Sequence, residues 1–143
     1  MASQAIFAHG TLLKIGDGGG PEVFTTVAEA QSIKGPNIKQ ATIDVTSHSS
    51  GGWKEFIGGI LEGGQVTFQL NFIPTDATQG NTSGLLRDLK NRTKRNFKLV
   101  LTDPGVTTWA FTALVTDFPI DAPTDGKLSA SVTLQITGIP TLA

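Results

Sequence analysis

Lys127-Leu-Ser-Ala-Ser-Val-Thr-Leu-Gln-Ile-Thr137 is the stretch whose reading decides the fold. One side carries Leu128, Ala130, Val132, Leu134 and Ile136; the other carries Ser129, Ser131, Thr133, Gln135 and Thr137. Strict alternation of this kind places one set of side chains in a core and the other in water, as on a half-buried antiparallel strand. Gln65–Phe72 repeats the pattern, with Val66, Phe68, Leu70 and Phe72 opposed to Thr67, Gln69 and Asn71. Asn96–Leu101 alternates Phe97, Leu99 and Leu101 against Lys98 and Val100. Thr107–Phe118 is apolar on both sides, with Trp109, Phe111, Ala113 and Val115 against Ala110, Leu114 and Phe118. That pattern predicts a central strand or one at a contact with another subunit.

Turn chemistry punctuates these runs. Asp103-Pro104-Gly105 pairs a proline with fixed φ and a glycine free to take positive φ, and Pro119–Gly126 reads as a longer connection of the same kind. Earlier strands are expected at Thr11–Ile15, Val23–Val27 and Asn37–Val45, separated by Gly16–Gly20 and by Gly35-Pro36. A helix is expected over about Ser83–Arg92. Asn81-Thr82-Ser83 offer capping oxygens, Leu85, Leu86 and Leu89 form an apolar stripe, and basic residues gather at the far end. The fold class that follows is all-β with one short helix. With 143 residues and no change of composition along the chain, a single domain over residues 1–143 is expected.

Composition removes several function classes. Eleven basic residues against twelve acidic ones leave a net charge of −1, so no excess of positive charge exists to grip phosphates. The absence of cysteine excludes a disulfide framework and thiolate-bound metal. Residues 1–7 lack the basic and apolar regions of a signal peptide, and no apolar run approaches the length that spans a bilayer, so no membrane partner is expected.

Thr46–Gly64 is unlike the rest. It is rich in glycine and has no sustained period, yet it carries Trp53, Phe56, Ile57, Ile60 and Leu61. Greasy side chains on a pliable backbone make a poor monomer surface. Two readings stand: a hairpin folded back on its own core, or a segment that orders only against a neighbouring subunit.

Catalytic chemistry finds no constellation. Asp44, Ser47 and His48 lie too close together in sequence to supply orienter, nucleophile and base, and no nucleophile-elbow motif surrounds the serine. His9 and His48 lack metal-ligand spacing. The Gly16–Gly20 run lacks the lysine and helix of a phosphate cradle, and Glu55 and Glu62 sit on too mobile a segment for a carboxylate dyad. No enzyme activity and no cofactor are expected. Arg87, Lys90, Arg92, Lys94, Arg95 and Lys98 gather six of the eleven basic residues. With no interleaved aromatic apart from Phe97, they read as a charged contact surface, or as complements of the helix dipole, rather than a nucleic-acid platform.

Over nearly its whole length the chain resembles the tail tube family of siphophages, the long non-contractile-tailed bacteriophages. The resemblance rests on Gly10-Thr11-Leu12-Leu13-Lys14-Ile15-Gly16 followed by Phe24-Thr25-Thr26-Val27, then on Gly35-Pro36 and Ile43-Asp44-Val45-Thr46. It continues through the Trp53–Gly63 loop and Asn71-Phe72-Ile73-Pro74-Thr75-Asp76, and ends at Val132–Pro140. It implies a β-sandwich or barrel-like core assembled as hexameric rings that stack into a conduit for double-stranded DNA, which passes without specific binding. The segment of about 44–63, with the chain termini, would touch the next subunit or ring, the segment doing so through Asp44, Trp53, Lys54, Glu55, Phe56, Ile57, Ile60 and Leu61. Implied partners are further copies of the chain, a tape-measure protein, a tail terminator and tail-tip proteins. The implied location is the virion, after synthesis in the bacterial cytoplasm. Some relatives continue into an immunoglobulin-like domain; here no such C-terminal extension is expected. The competing readings are a tube of a contractile injection or type VI secretion system, which shares the fold, and a β-sandwich ligand-binding module. The latter would need an exposed aromatic row, whereas the phenylalanines here read as core-facing.

Overall fold

A sheet with one apolar face must curve around that face, and this chain does so. The structure, a computed structural model, describes residues 2–143; Met1, the first residue of the expected domain, lies outside the described residues. The elements run β1 (Leu12–Gly16), β2 (Phe24–Thr26), β3 (Ala30–Lys34), β4 (Lys39–Asp44), a 3-10 turn (His48–Ser50), β5 (Phe56–Glu62), β6 (Gln65–Asn71), α1 (Leu85–Asn91), β7 (Lys94–Val100), β8 (Thr108–Asp117), β9 (Ile120–Asp121) and β10 (Ser129–Leu142). The fold is mostly β with a single short helix among the described residues. Its main sheet is antiparallel in the order β2-β1-β7-β8-β10-β6-β3, with β9 attached to β10. β4 and β5 form a separate two-stranded ribbon.

The two alternating segments pair with each other, Val132 opposite Phe68 and Leu134 opposite Val66. Apart from exposed Leu128 and half-buried Phe72, their apolar sides are buried, as are Leu13, Ile15, Phe97, Leu99, Phe111, Ala113 and Val115 from β1, β7 and β8. β8, apolar on both sides, lies in the middle of the sheet, paired with β7 and β10. Inside, Phe97 stacks on Phe111 and Phe72 meets Phe118 edge-on.

One segment serves both edges of the curved sheet. Phe24–Thr26 pairs with β1, and the Val27 amide still donates to Leu13 O at 2.8 Å. Two residues later Glu29 O accepts from the Asn71 amide, and Ala30–Lys34 runs along β6. Between them the chain turns at Glu29, with φ +59. Gln79, fully buried, holds this corner. Its amide nitrogen donates to Ala28 O at 2.7 Å and to Asn71 O at 3.1 Å, and its oxygen accepts from the Ile73 amide at 2.7 Å. Thr78 Oγ1 accepts from the Ala28 amide.

Several boundaries differ from expectation. The helix begins at Leu85, not Ser83, and its cap is Gly84 without a side-chain cap bond. Carbonyls of the preceding turn, from Thr78, Gln79 and Gly80, accept from the Leu85, Leu86 and Arg87 amides instead. A Cβ on Gly84 would lie 2.5 Å from the Gln79 and Gly80 nitrogens, so only glycine fits. β3 was not foreseen, because a register shift between Ala30 and Ile33 breaks its alternation. Pro119–Gly126 is not all connection, since Ile120-Asp121 pairs with β10. In the Asp103-Pro104-Gly105 turn the positive φ falls on Val106, at +50, rather than on Gly105. Asp103 holds that turn through the Thr107 hydroxyl and amide. The phenylalanines are not all core-facing: Phe7 is 82 % exposed and Phe56 is exposed on the ribbon.

Truncating Gln79 to Ala leaves two carbonyls and one amide without partners at a part-buried corner, each costing about 1–3 kcal/mol where water cannot reach it. Denaturant unfolding of Gln79→Ala should show a loss of about 3 kcal/mol or more; a loss under about 1 kcal/mol would mean that the corner is held by other contacts.

Candidate functional site: an apolar ribbon and a charged pole

The β4–β5 ribbon leaves the body at one pole of the sheet. Its base is rigid. Gly64, at φ +78, offers its carbonyl to the Ile136 amide at 3.0 Å and to the Gln135 side chain at 3.1 Å. A Cβ on Gly64 would meet Asn37 O at 1.9 Å, and one on Gly63 would meet Ile136 at 2.5 Å. These glycines let the ribbon root against β10.

Beyond the root the ribbon buries almost nothing. Ile43 faces Ile57 and Asp44 faces Phe56, and all four are exposed. Ile60 is 85 % exposed, and Leu61, Ile38 and Val45 are exposed as well. A register shift between Gln40 and Thr42 adds a bulge. The period-two pattern fails here for a physical reason: a free ribbon has no buried face to select for alternation. The segment expected as an irregular loop is thus a strand over Phe56–Glu62 joined by a tip to β4. It is a hairpin, but it projects from the core rather than folding back on it.

The tip is closed by hydrogen bonds within its own chain. The Val45 amide donates to Glu55 O at 2.9 Å, the Thr46 amide to Asp44 Oδ1 at 2.9 Å, and the Glu55 amide to Thr46 Oγ1 at 2.9 Å. Ser50 Oγ donates to the Glu55 carboxylate at 2.7 Å and accepts from the Ser47 amide. The Thr46 hydroxyl and amide together hold the Asp44 carboxyl below its ordinary range. From this closed turn Trp53 stands 80 % exposed, with Lys54 exposed beside it. The ribbon therefore brings together Asp44, Trp53, Lys54, Glu55, Phe56, Ile57, Ile60 and Leu61.

The basic residues lie at the other pole and do not form one surface. Arg87, Lys90 and Arg92 are exposed on and just after the helix, and Lys94 is exposed at the start of β7. Lys90 donates to Asn81 Oδ1 at 2.8 Å. Arg95 instead turns inward. Its guanidinium donates to Gly16 O at 2.7 Å and Ser83 O at 3.1 Å, and its Nε sits 3.2 Å from the buried Asp88 carboxylate. Reading Arg95 as contact surface therefore needs correction: its donors tie the helix to β1. Burial pushes the Asp88 carboxyl above its ordinary value, and Arg95, then Arg87, pull it partway back.

The chain termini, expected as contacts beside the segment of about 44–63, bring apolar residues to the same pole; Ile38, Ile43 and Val106 there were missed by sequence reading. Ile6, Phe7, Val106, Ile139 and Leu142 are exposed there with Ile38 and Ile43. Ile139 follows Gly138, where φ is +81 and β10 departs from its register between Thr137 and Thr141.

The phage tail tube protein family matches residues 8–142. A comparison with curated protein sequences finds no match. Among solved structures the chain is similar to a chain in the tail of an empty gene transfer agent particle refined with C6 symmetry. That match has a TM-score of 0.76 at 21% identity, over 97% of this chain and 99% of that one. It is also similar to a chain of the extended sheath–tube complex of the PVC extracellular contractile injection system, with TM-score 0.69, 17% identity, and 99% and 93% covered. A third is the SPP1 tail tube, with TM-score 0.67, 12% identity, and 92% and 75% covered.

Two measurements check this site. Hydrogen exchange of the isolated chain should show the Val45 and Glu55 amides slowed relative to an unfolded chain; random-coil exchange throughout residues 45–55 would contradict a preformed tip. Because Asp88 is raised in the folded state, its ionisation costs stability as pH rises above the unfolded value of about 3.9. The Tm difference between Asp88→Asn and the unsubstituted chain should therefore shift in favour of the variant between pH 4 and pH 7. A constant difference across that range would show that Asp88 does not titrate there.

Proposed function

The chain belongs to the phage tail tube protein family, and we propose that it polymerises into stacked, hexameric rings forming the tail tube of a siphophage or a phage-like particle. The chain is a structural protein rather than an enzyme. The observation that carries the proposal is the β4–β5 ribbon: a preformed arm whose large apolar side chains have no home in their own domain. Burying one such side chain contributes about 1.5–3 kcal/mol. The exposed set on the ribbon thus supplies ample drive for association between copies. The gene transfer agent tail with its sixfold symmetry and the SPP1 tail tube support the ring reading by likeness of fold.

In this reading the segment of about 44–63 contacts a neighbouring subunit or ring. A heterologous contact that closes by rotation gives a ring, and a second, head-to-tail contact gives the open stack. DNA passes through the lumen without specific binding. That requires a wall with few cations, since each neutralised phosphate adds affinity. The outward side of β6 and β10, with Thr67, Gln69, Ser131 and Thr133, is uncharged and suits such a wall. Arg87, Lys90, Arg92 and Lys94 then face subunit contacts or the exterior. A tape-measure protein in the lumen, with terminator and tip proteins at the ends, completes the assembly within the virion after synthesis in the host cytoplasm. A second reading, a tube inside a contractile sheath, is favoured by the likeness to the PVC tube; growth of tubes in the absence of any sheath protein separates the two.

Electron microscopy of the concentrated protein should show rings or tubes. Ile57→Asp with Ile60→Asp should keep the folded circular dichroism signal yet abolish them. Persistent monomers of the unsubstituted chain, or normal tubes from the double variant, would refute the reading.

A further inference from the structure

The ribbon tip needs a receptor, and the same pole holds an apolar groove of about 390 Å³ between the N-terminal segment and the β7–β8 turn. Ile6, Leu101, Trp109 and Leu142 line it, with the Asp103 carboxylate among its walls. Trp53 of the same chain does not fill it, being 80 % exposed. The two features lie on different flanks of the pole. The groove sits over the ends of β7, β8 and β10, where Val100 pairs with Thr108 and Leu142 with Trp109. The ribbon springs from the side of β6 and β3, next to Gln65 and Lys34.

We propose that this groove receives the ribbon tip of a second copy in the same ring, the Trp53 indole against Trp109 and Leu142 and the Lys54 ammonium beside the Asp103 carboxylate. The inference rests on the tube reading and assigns one of its contacts. Three observations favour a second copy as the occupant. The charges are complementary: Lys54 has no ion-pair partner within its own chain among the described residues, and Asp103 lies at the groove. The Thr107 hydroxyl and amide hold the Asp103 carboxyl below its ordinary range, so it is charged at neutral pH. The tip is preformed, so docking Trp53 orders little backbone, as suits an aromatic anchor entering a pocket. Finally, knob and groove are different surfaces at one pole. Side-by-side copies can therefore join knob to groove repeatedly and close by rotation, whereas a self-complementary patch would stop at a dimer. The N-terminal wall of the groove is held to the β7–β8 turn by the Thr102 hydroxyl donating to Phe7 O.

The chain contains no cysteine, so introduced thiols report without background. Lys54→Cys combined with Leu142→Cys, treated with a short bis-maleimide under assembling conditions, should give a ladder of covalent oligomers that ends at the ring size. Either single variant should give no ladder. Trp53→Ala alone should raise the concentration needed for assembly at least tenfold. Rings that form while the double variant yields no ladder, or Trp53→Ala assembling as well as the unsubstituted chain, would overturn this contact and leave the tube reading standing. An unsubstituted chain that never assembles would remove the tube reading and this contact with it.

Discussion

The structure depends on one corner. Phe24–Lys34 runs first along β1 and then along β6, turning at Glu29, and buried Gln79 pins the turn by bonding Ala28, Asn71 and Ile73 at once. A curved sheet with two loose edges would expose backbone donors and acceptors to any passing strand. Here one segment covers both edges, and the apolar interior closes with side chains from β1, β6, β7, β8, β10 and the helix.

Closure has a consequence for the ribbon. The core is complete without β4 and β5, so their side chains have nothing left in the domain to pack against. A two-stranded hairpin alone is marginally stable. This one survives because its root is locked at Gly63 and Gly64 against β10 and its tip is tied by Asp44, Thr46, Ser50 and Glu55. A preformed apolar arm costs less ordering entropy on docking than a disordered loop. The poles are also unlike. Of the exposed large apolar residues, all but Val23, Ile73, Ile120 and Leu128 lie at the ribbon's pole or on the ribbon, while the helix pole carries Arg87, Lys90, Arg92 and Lys94 and the Asp117–Asp125 connection. Unlike poles suit head-to-tail stacking, since like ends do not complement each other.

How much was legible follows the same division. Strands with one face in the core announced themselves: β6, β7, β8 and β10 were found within a few residues of their ends, and so was the helix. Elements without that selection were blurred. β3 hides behind a register shift, β5 behind exposure on both faces, and the start of α1 behind the space only Gly84 leaves. For the candidate site, the apolar residues of the segment of about 44–63 could be picked out because grease on a glycine-rich backbone is anomalous. The basic cluster could be counted but not sorted, because only the fold distinguishes Arg95, turned inward to Asp88, from Arg87, Lys90, Arg92 and Lys94 in water.

By itself the sequence determined an all-β chain with one short helix, the identity of its core side chains, and an apolar, glycine-rich segment unlike the rest. Those follow from local alternation and composition, because burial on one face imposes a period that can be read without coordinates. Tertiary structure alone decided that this segment is a rooted ribbon with an ordered tip, that Gln79 closes the barrel-like core, and that ribbon and groove share a pole. These rest on contacts between residues far apart in the chain, such as Gln79 with Ala28 and Gly64 with Ile136, and no local pattern encodes which distant group will accept a given hydrogen bond.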